Sequence, residues 1–172
     1  MRRLHAGVCL MSRVSGVFAT ALLMLSVLVV CQMVFVRAVL GESSIWQTEF
    51  VTFSIVAATF LGAPYVLLTH GHVNVDLLPL MLNGAWRQRL ALLASGLALA
   101  FCVLFLYSAI NWWWEAWTLG LTTPSIWRAR LWIPYLSVPV GMLLLCGQYI
   151  VDIWALMNGE ASPFVMEIKE TV

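Results

Sequence analysis

Charge is what this sequence has least of. Only 10% of its residues are Asp, Glu, Lys or Arg and 62% are hydrophobic, whereas a soluble domain is about a quarter charged. A soluble chain of 172 residues could not cover its surface with so few charged groups. A bilayer removes that need, because hydrocarbon is then the solvent. The formal net charge is +1, so the long-range attraction that draws proteins to nucleic acid is missing and no nucleic-acid partner is expected. Cys9, Cys31, Cys102 and Cys146 form no C-x-x-C pair and have no histidine close by in sequence, which excludes a local zinc or redox motif. Three of the four lie in apolar runs, where Cys packs as a small hydrophobe. There is no glycine-rich phosphate loop, no G-x-S-x-G and no H-E-x-x-H. Haem held across a bundle needs histidines in two facing helices; His70 and His72 lie together and His5 lies near the start. No cofactor and no metal are expected, and the chain does not read as an enzyme.

What is present is four stretches free of Asp, Glu, Lys and Arg, at residues 14–36, 50–75, 90–114 and 131–151. Each reaches the roughly 20 residues that a helix needs to cross about 30 Å of hydrocarbon. Backbone groups cannot go unpaired in lipid, so each is expected to be helical. The expected fold is an all-α integral membrane protein, one membrane domain over 1–172, with transmembrane helices at about 14–36, 48–69, 90–114 and 132–156. Between the second and third, about 74–85, Asn74 or Asp76 would cap a short interfacial helix with Pro79 near its start. Residues 158–172 read as a loose cytoplasmic tail. Arg2, Arg3 and Arg13 resemble the basic region of a signal peptide, but the apolar run behind them exceeds the usual 7–15 residues or so and no clear A-x-A site follows. It is read as a retained first span.

Arginine and lysine placement sets the expected orientation. Arg2, Arg3, Arg13, Arg87, Arg89 and Lys169 fall on one side of a four-span layout, and Arg37, Arg128 and Arg130 on the other. That bias puts both termini in the cytoplasm. Seven tryptophans, Trp46, Trp112, Trp113, Trp114, Trp117, Trp127 and Trp132, then map to the outer boundary. Two readings fit them: an indole belt at headgroup level, or a docking surface, since Trp is enriched at interfaces.

Local chemistry adds detail. Ser44 and Gln47 have capping-box spacing before the second span. Glu49 is either a carboxylate favoured by the positive end of that helix or an interhelical hydrogen-bonding group. Ser54, Ala58 and Gly62 recur every four residues and offer a stripe of possible subunit packing, where small side chains let helices approach. Pro139 and Gly141 predict a kink early in the fourth span. Arg87 and Arg89 either hold anionic phospholipid or only obey the charge bias. No inverted repeat appears, and the span centres carry no charged side chain of the kind that marks an ion or substrate path.

From Trp46 to Pro79 the chain reads W-Q-T-E-F…F-L-G-A…G-H-V-N-V-D-L-L-P. This resembles the small membrane subunit, the DctQ-like family, of tripartite ATP-independent periplasmic (TRAP) transporters. Trp46, Glu49, Gly62, Ala63, Gly71, His72, Val75 and Asp76 match in order, and Ile133, Pro134, Tyr135, Pro139 and Gly141 match the family's I-P-x…P-x-G pattern. The family often has paired acids after the Trp; here the first is Thr48. The resemblance implies an inner-membrane support subunit working with a large membrane subunit and a periplasmic solute-binding protein. Sodium would drive uptake of a small organic acid, without ATP. A membrane anchor for a redox enzyme complex is the competing expectation.

Overall fold

The computed structural model describes the backbone of residues 2–41, 45–69 and 84–157, with side chains in 7–41, 45–69 and 89–157. These residues form α1 (Arg2–Leu40), α2 (Ile45–Leu68), α3 (Gly84–Thr118), a single turn α4 (Trp132–Tyr135) and α5 (Ser137–Met157). Four segments, Gly7–Leu40, Ile45–Leu68, Arg89–Thr118 and Trp132–Met157, are long and apolar enough to cross a membrane. The all-α, four-span architecture read from the sequence is the one observed. The interfacial segment expected at 74–85 lies outside the described residues except for its last two, which open α3. The tail at 158–172 also lies outside them.

Two helices exceed the uncharged runs that announced them. α1 has 39 residues and α3 has 35, about 58 and 52 Å at roughly 1.5 Å per residue. A charge marks where hydrocarbon ends, not where a helix ends. The backbone keeps its i to i−4 bonds in water, so α1 continues past Arg13 to Arg2, and α3 starts at Gly84 rather than near residue 90.

Prolines act differently in the second and fourth spans. α2 runs unbroken through Pro64, which is fully buried. The fourth span is interrupted at Leu136, between α4 and α5. Pro139 has no N–H for the Tyr135 carbonyl four residues back, and its ring crowds that carbonyl. Beside it, Ser137 Oγ donates to the Pro134 carbonyl at 2.6 Å. Leu136 itself keeps helical angles, φ −60° and ψ −29°, and helical bonds on both sides, from its N–H to the Trp132 carbonyl at 3.2 Å and from Val140 N–H to its own carbonyl at 3.3 Å.

α5 is the hub, packing on α2, α3 and α1. Its core cluster joins Met142, Leu145 and Cys146 to Cys102 of α3, with Phe60, Ala63 and Leu67 of α2 against it. α1 and α2 pack antiparallel along small side chains. Ala19 is 3.5 Å from the position of a Cβ on Gly62, and Ser26, Ser54 and Ala58 are buried. A Cβ on Gly16 would collide with the root of the Tyr65 ring. In lipid, helices associate through such close packing, because burying apolar surface there gains nothing over lipid contact. The buried hydroxyls avoid desolvation cost by bonding within their own helix: Ser15 Oγ to the Ser12 carbonyl at 3.0 Å, and Ser26 Oγ to the Leu22 carbonyl at 2.8 Å. The outward faces of α1 and α3 are apolar, with Val17, Phe18, Leu28, Leu97, Phe101 and Leu104 exposed.

Candidate functional site

The residues singled out by sequence fall into several groups. Gly71, His72 and Asp76 lie outside the described residues, as does the side chain of Arg87; Arg89 is exposed near the start of α3. Ser54, Ala58 and Gly62 share the α1-facing side of α2, so this stripe is occupied inside the chain by Ala19 and its neighbours. Ala63, Pro134, Pro139 and Gly141 all belong to the α2–α4–α5 region, with Ala63 against the core cluster and Pro139 and Gly141 buried.

At the start of α2, Trp46 is exposed while Gln47 is buried. Ser44 of the expected capping box lies outside the described residues. Gln47 Nε2 donates to Gln32 Oε1 of α1 at 3.3 Å, so it ties two helices together. Next to it, Glu49 is half-buried, and its buried Oε2 has no hydrogen-bond partner among the described residues. A carboxylate oxygen shut off from water needs a donor. The chain presents Glu49 as an acceptor awaiting one.

The opposite end of the bundle holds polar residues that the sequence reading passed over. Ser12 Oγ donates to Gln148 Oε1 at 3.3 Å, and Gln148 Nε2 donates to Asp152 Oδ1 at 3.2 Å. Ser12 and Gln148 are almost fully buried. One amide thus links α1 to the last turns of α5. The signal was available in the i, i+4 spacing of Gln148 and Asp152, with small residues at 12, 15, 16 and 19 of α1 to admit them.

Aromatic side chains gather where α3 meets α4. Trp113 Nε1 donates to the Trp132 carbonyl at 3.2 Å. Trp112 stacks on Tyr135 with centroids 6.2 Å apart, Trp113 lies 5.8 Å from Trp117, and Trp117 meets Trp132 edge to face at 4.7 Å. Below this cluster an apolar groove of about 390 Å³ opens between α2 and α3, lined by Val56, Phe60, Phe105, Trp112 and Tyr135 among others. Among the described residues no group of three or more His, Cys, Asp or Glu is placed to hold a metal. The charged side chains described in the helices, Arg13, Arg37, Glu49, Arg89, Glu115 and Asp152, each stand immediately beside one of the uncharged runs, outside it. What the geometry offers is helix faces and boundary anchors.

Comparison with known proteins agrees with that character. Residues 26–159 match the family described as Tripartite ATP-independent periplasmic transporters, DctQ component. The C4-dicarboxylate TRAP transporter small permease protein DctQ of Vibrio cholerae is 26% identical over 148 residues, covering 74% of this chain and 64% of that protein. The protein of the same name from Rhodobacter capsulatus is 26% identical over 110 residues, covering 64% of this chain and 48% of its own length. The chain thus spans less than two thirds of the curated relatives it matches.

Proposed function

This chain belongs to the DctQ component family of tripartite ATP-independent periplasmic transporters, and on that premise we propose that it is the support subunit against which a large membrane subunit moves its cargo. As a member of that family it is a multi-pass inner-membrane transporter component and not an enzyme. The carrying observation is the distribution of polarity. The core of the bundle is apolar, and the interhelical amide bonds lie toward its two ends. A solute path needs polar or charged groups at mid-span. A brace needs rigid helix contacts inside and apolar faces outside. α1 and α3 supply such faces, and Glu49, whose Oε2 has no partner among the described residues, supplies a polar contact for a neighbouring helix.

The other partner is a periplasmic solute-binding protein that delivers the solute. The driving force is a sodium gradient coupled in the large subunit, and both termini face the cytoplasm, following the arginine bias. The solute class is a small organic acid, consistent with the C4-dicarboxylate in the names of both relatives. The family match favours this over a redox-complex anchor. The experiment is sodium-dependent uptake into vesicles holding the large subunit and the binding protein, with and without this chain. Full uptake without it, or movement of solute by this chain alone in pure lipid, overturns the proposal.

A further inference from the structure

The connection from α3 to α4 carries a pocket that the packing of the chain does not use. Trp117 and Trp132 have ring planes at 75°, so the two indoles make adjacent walls of a corner. Gly120, at φ +58°, turns the chain there without a side chain to fill the space. Thr122 and Arg130, paired across an antiparallel bridge, complete a lining around about 370 Å³. That volume is many times the share of one water, about 30 Å³. The connection is well tied. Leu131 N–H donates to the Leu121 carbonyl, and Thr123 N–H to the Ala129 carbonyl, each at 3.0 Å. Ala129 N–H returns to Thr123 Oγ1, also at 3.0 Å. Arg130 is thereby fixed at its backbone. Among the described residues its guanidinium has no carboxylate partner.

Two recognition chemistries meet in this pocket. A guanidinium binds phosphate through charge-assisted hydrogen bonds. The face of an indole attracts an ammonium group. A ligand that carries a phosphate and an ammonium a few bonds apart satisfies both. The tryptophan cluster around the pocket places it at headgroup depth, where indole is favoured. Lipid headgroups are the most concentrated solute there. We infer that the corner formed by Trp117, Trp132 and Arg130 holds the phosphoethanolamine headgroup of a bilayer phospholipid, its phosphate on Arg130 and its ammonium against the indoles. A lipid with a glycerol headgroup would satisfy only the guanidinium. This site is at the opposite end of α3 from Arg89, and it does not depend on what the chain supports.

Native mass spectrometry of the full chain in detergent tests the inference, with phosphatidylethanolamine, phosphatidylglycerol or inorganic phosphate added. Phosphatidylethanolamine is expected to be retained several-fold better than phosphatidylglycerol. Arg130→Gln should weaken its retention about tenfold, the scale of one charge-assisted hydrogen bond. Arg128→Gln, which removes the same charge from the same connection, should not. Thr122→Trp fills the pocket while leaving the guanidinium in place, and should also lower retention. Arg130 and Thr122 are exposed, and circular dichroism will show whether each variant keeps its helices. Equal retention in Arg130→Gln overturns the assignment. So does retention lost equally in Arg128→Gln, which would indicate general boundary charge, or displacement of the lipid by inorganic phosphate. Loss of a co-purifying membrane protein in Arg130→Gln, with lipid retention unchanged, would show that a protein covers the pocket and would equally refute it.

Discussion

The backbone of Gly141 in α5 lies directly against the carbonyl of Phe60 in α2, so closely that a Cβ on Gly141 would overlap that oxygen. The carbonyl is available because residue 64 is proline. In an uninterrupted helix the Phe60 carbonyl would accept from the N–H four residues on, and Pro64 has none. Gly141 therefore meets an acceptor freed by Pro64, and its Cα–H points at it, a contact of the weak Cα–H···O type found at helix crossings. One residue lets the backbones touch, and another supplies the acceptor.

Gly141→Ala should force α5 away from α2, because the obstruction is backbone and cannot rotate aside. The expected loss is about 1–3 kcal/mol, the usual cost of overpacking a tight contact. Thermal denaturation in detergent, followed by size-exclusion chromatography, measures it. Gly96→Ala is the control. No atom lies within 4 Å of a Cβ there, so it should be neutral or stabilising by up to about 1 kcal/mol from helix propensity. Equal melting of the two variants would contradict the close-contact account.

Gln148→Leu should loosen the end of the bundle where α1 joins α5, by about 1 kcal/mol, a typical value for an interhelical hydrogen bond in membranes. Much of that would come from leaving Ser12 without its acceptor and Asp152 without its amide donor. Ser12→Ala in the Gln148→Leu background should then cost less than Ser12→Ala alone. Strict additivity of the two changes would show that the Ser12–Gln148 bond contributes nothing.

Gly62→Leu should act first inside the chain. The added side chain meets Ala19 of α1, so α1 should become more accessible to protease and the melting temperature should fall. Ala19→Gly in the same chain should recover part of the loss. If the single variant melts like wild type yet loses the large subunit on co-purification, the stripe serves the partner instead.

Glu49→Gln should leave the stability of the isolated chain within about 0.5 kcal/mol, as for a substitution that breaks no internal contact. Among the described residues its Oε2 bonds to nothing. Recovery of the complex with the large subunit should fall several-fold, because the amide retains the size of the carboxylate but not its charge. Unchanged recovery would reduce Glu49 to a carboxylate tuned only to its own helix.

The spans were legible because lipid imposes a single demand on composition, and 10% charge in 172 residues leaves few alternatives. Helix lengths were less so, since Arg13 ends a hydrophobic run without ending α1. The interruption at Leu136 was nearly readable, since Pro139 removes the donor that the Tyr135 carbonyl would use. Inter-helix partners were not readable. Ser54, Ala58 and Gly62 advertise close approach equally well to α1 or to another protein, and only the fold reveals the occupant. Gln47 illustrates the same ambiguity, since capping spacing and an interhelical amide bond are identical in a linear string. The pocket at Arg130 depends on a bridge between residues 122 and 130 and two indoles fifteen positions apart, a relation with no period to detect.

The helix that organises the bundle is also the last of the described helices to leave the ribosome. α1 and α2 can pair as soon as both are in the bilayer, since their contact is theirs alone. α3 meets the earlier helices lightly, with Phe105 stacked on Phe60 of α2 at 5.8 Å, and gains most of its packing only when α5 arrives to dock on it and on α2. During that interval the carbonyl of Phe60 stands open in hydrocarbon. Nascent chains stalled before residue 137 should accordingly be recognised by membrane quality control as unfinished, however correctly their first spans have inserted.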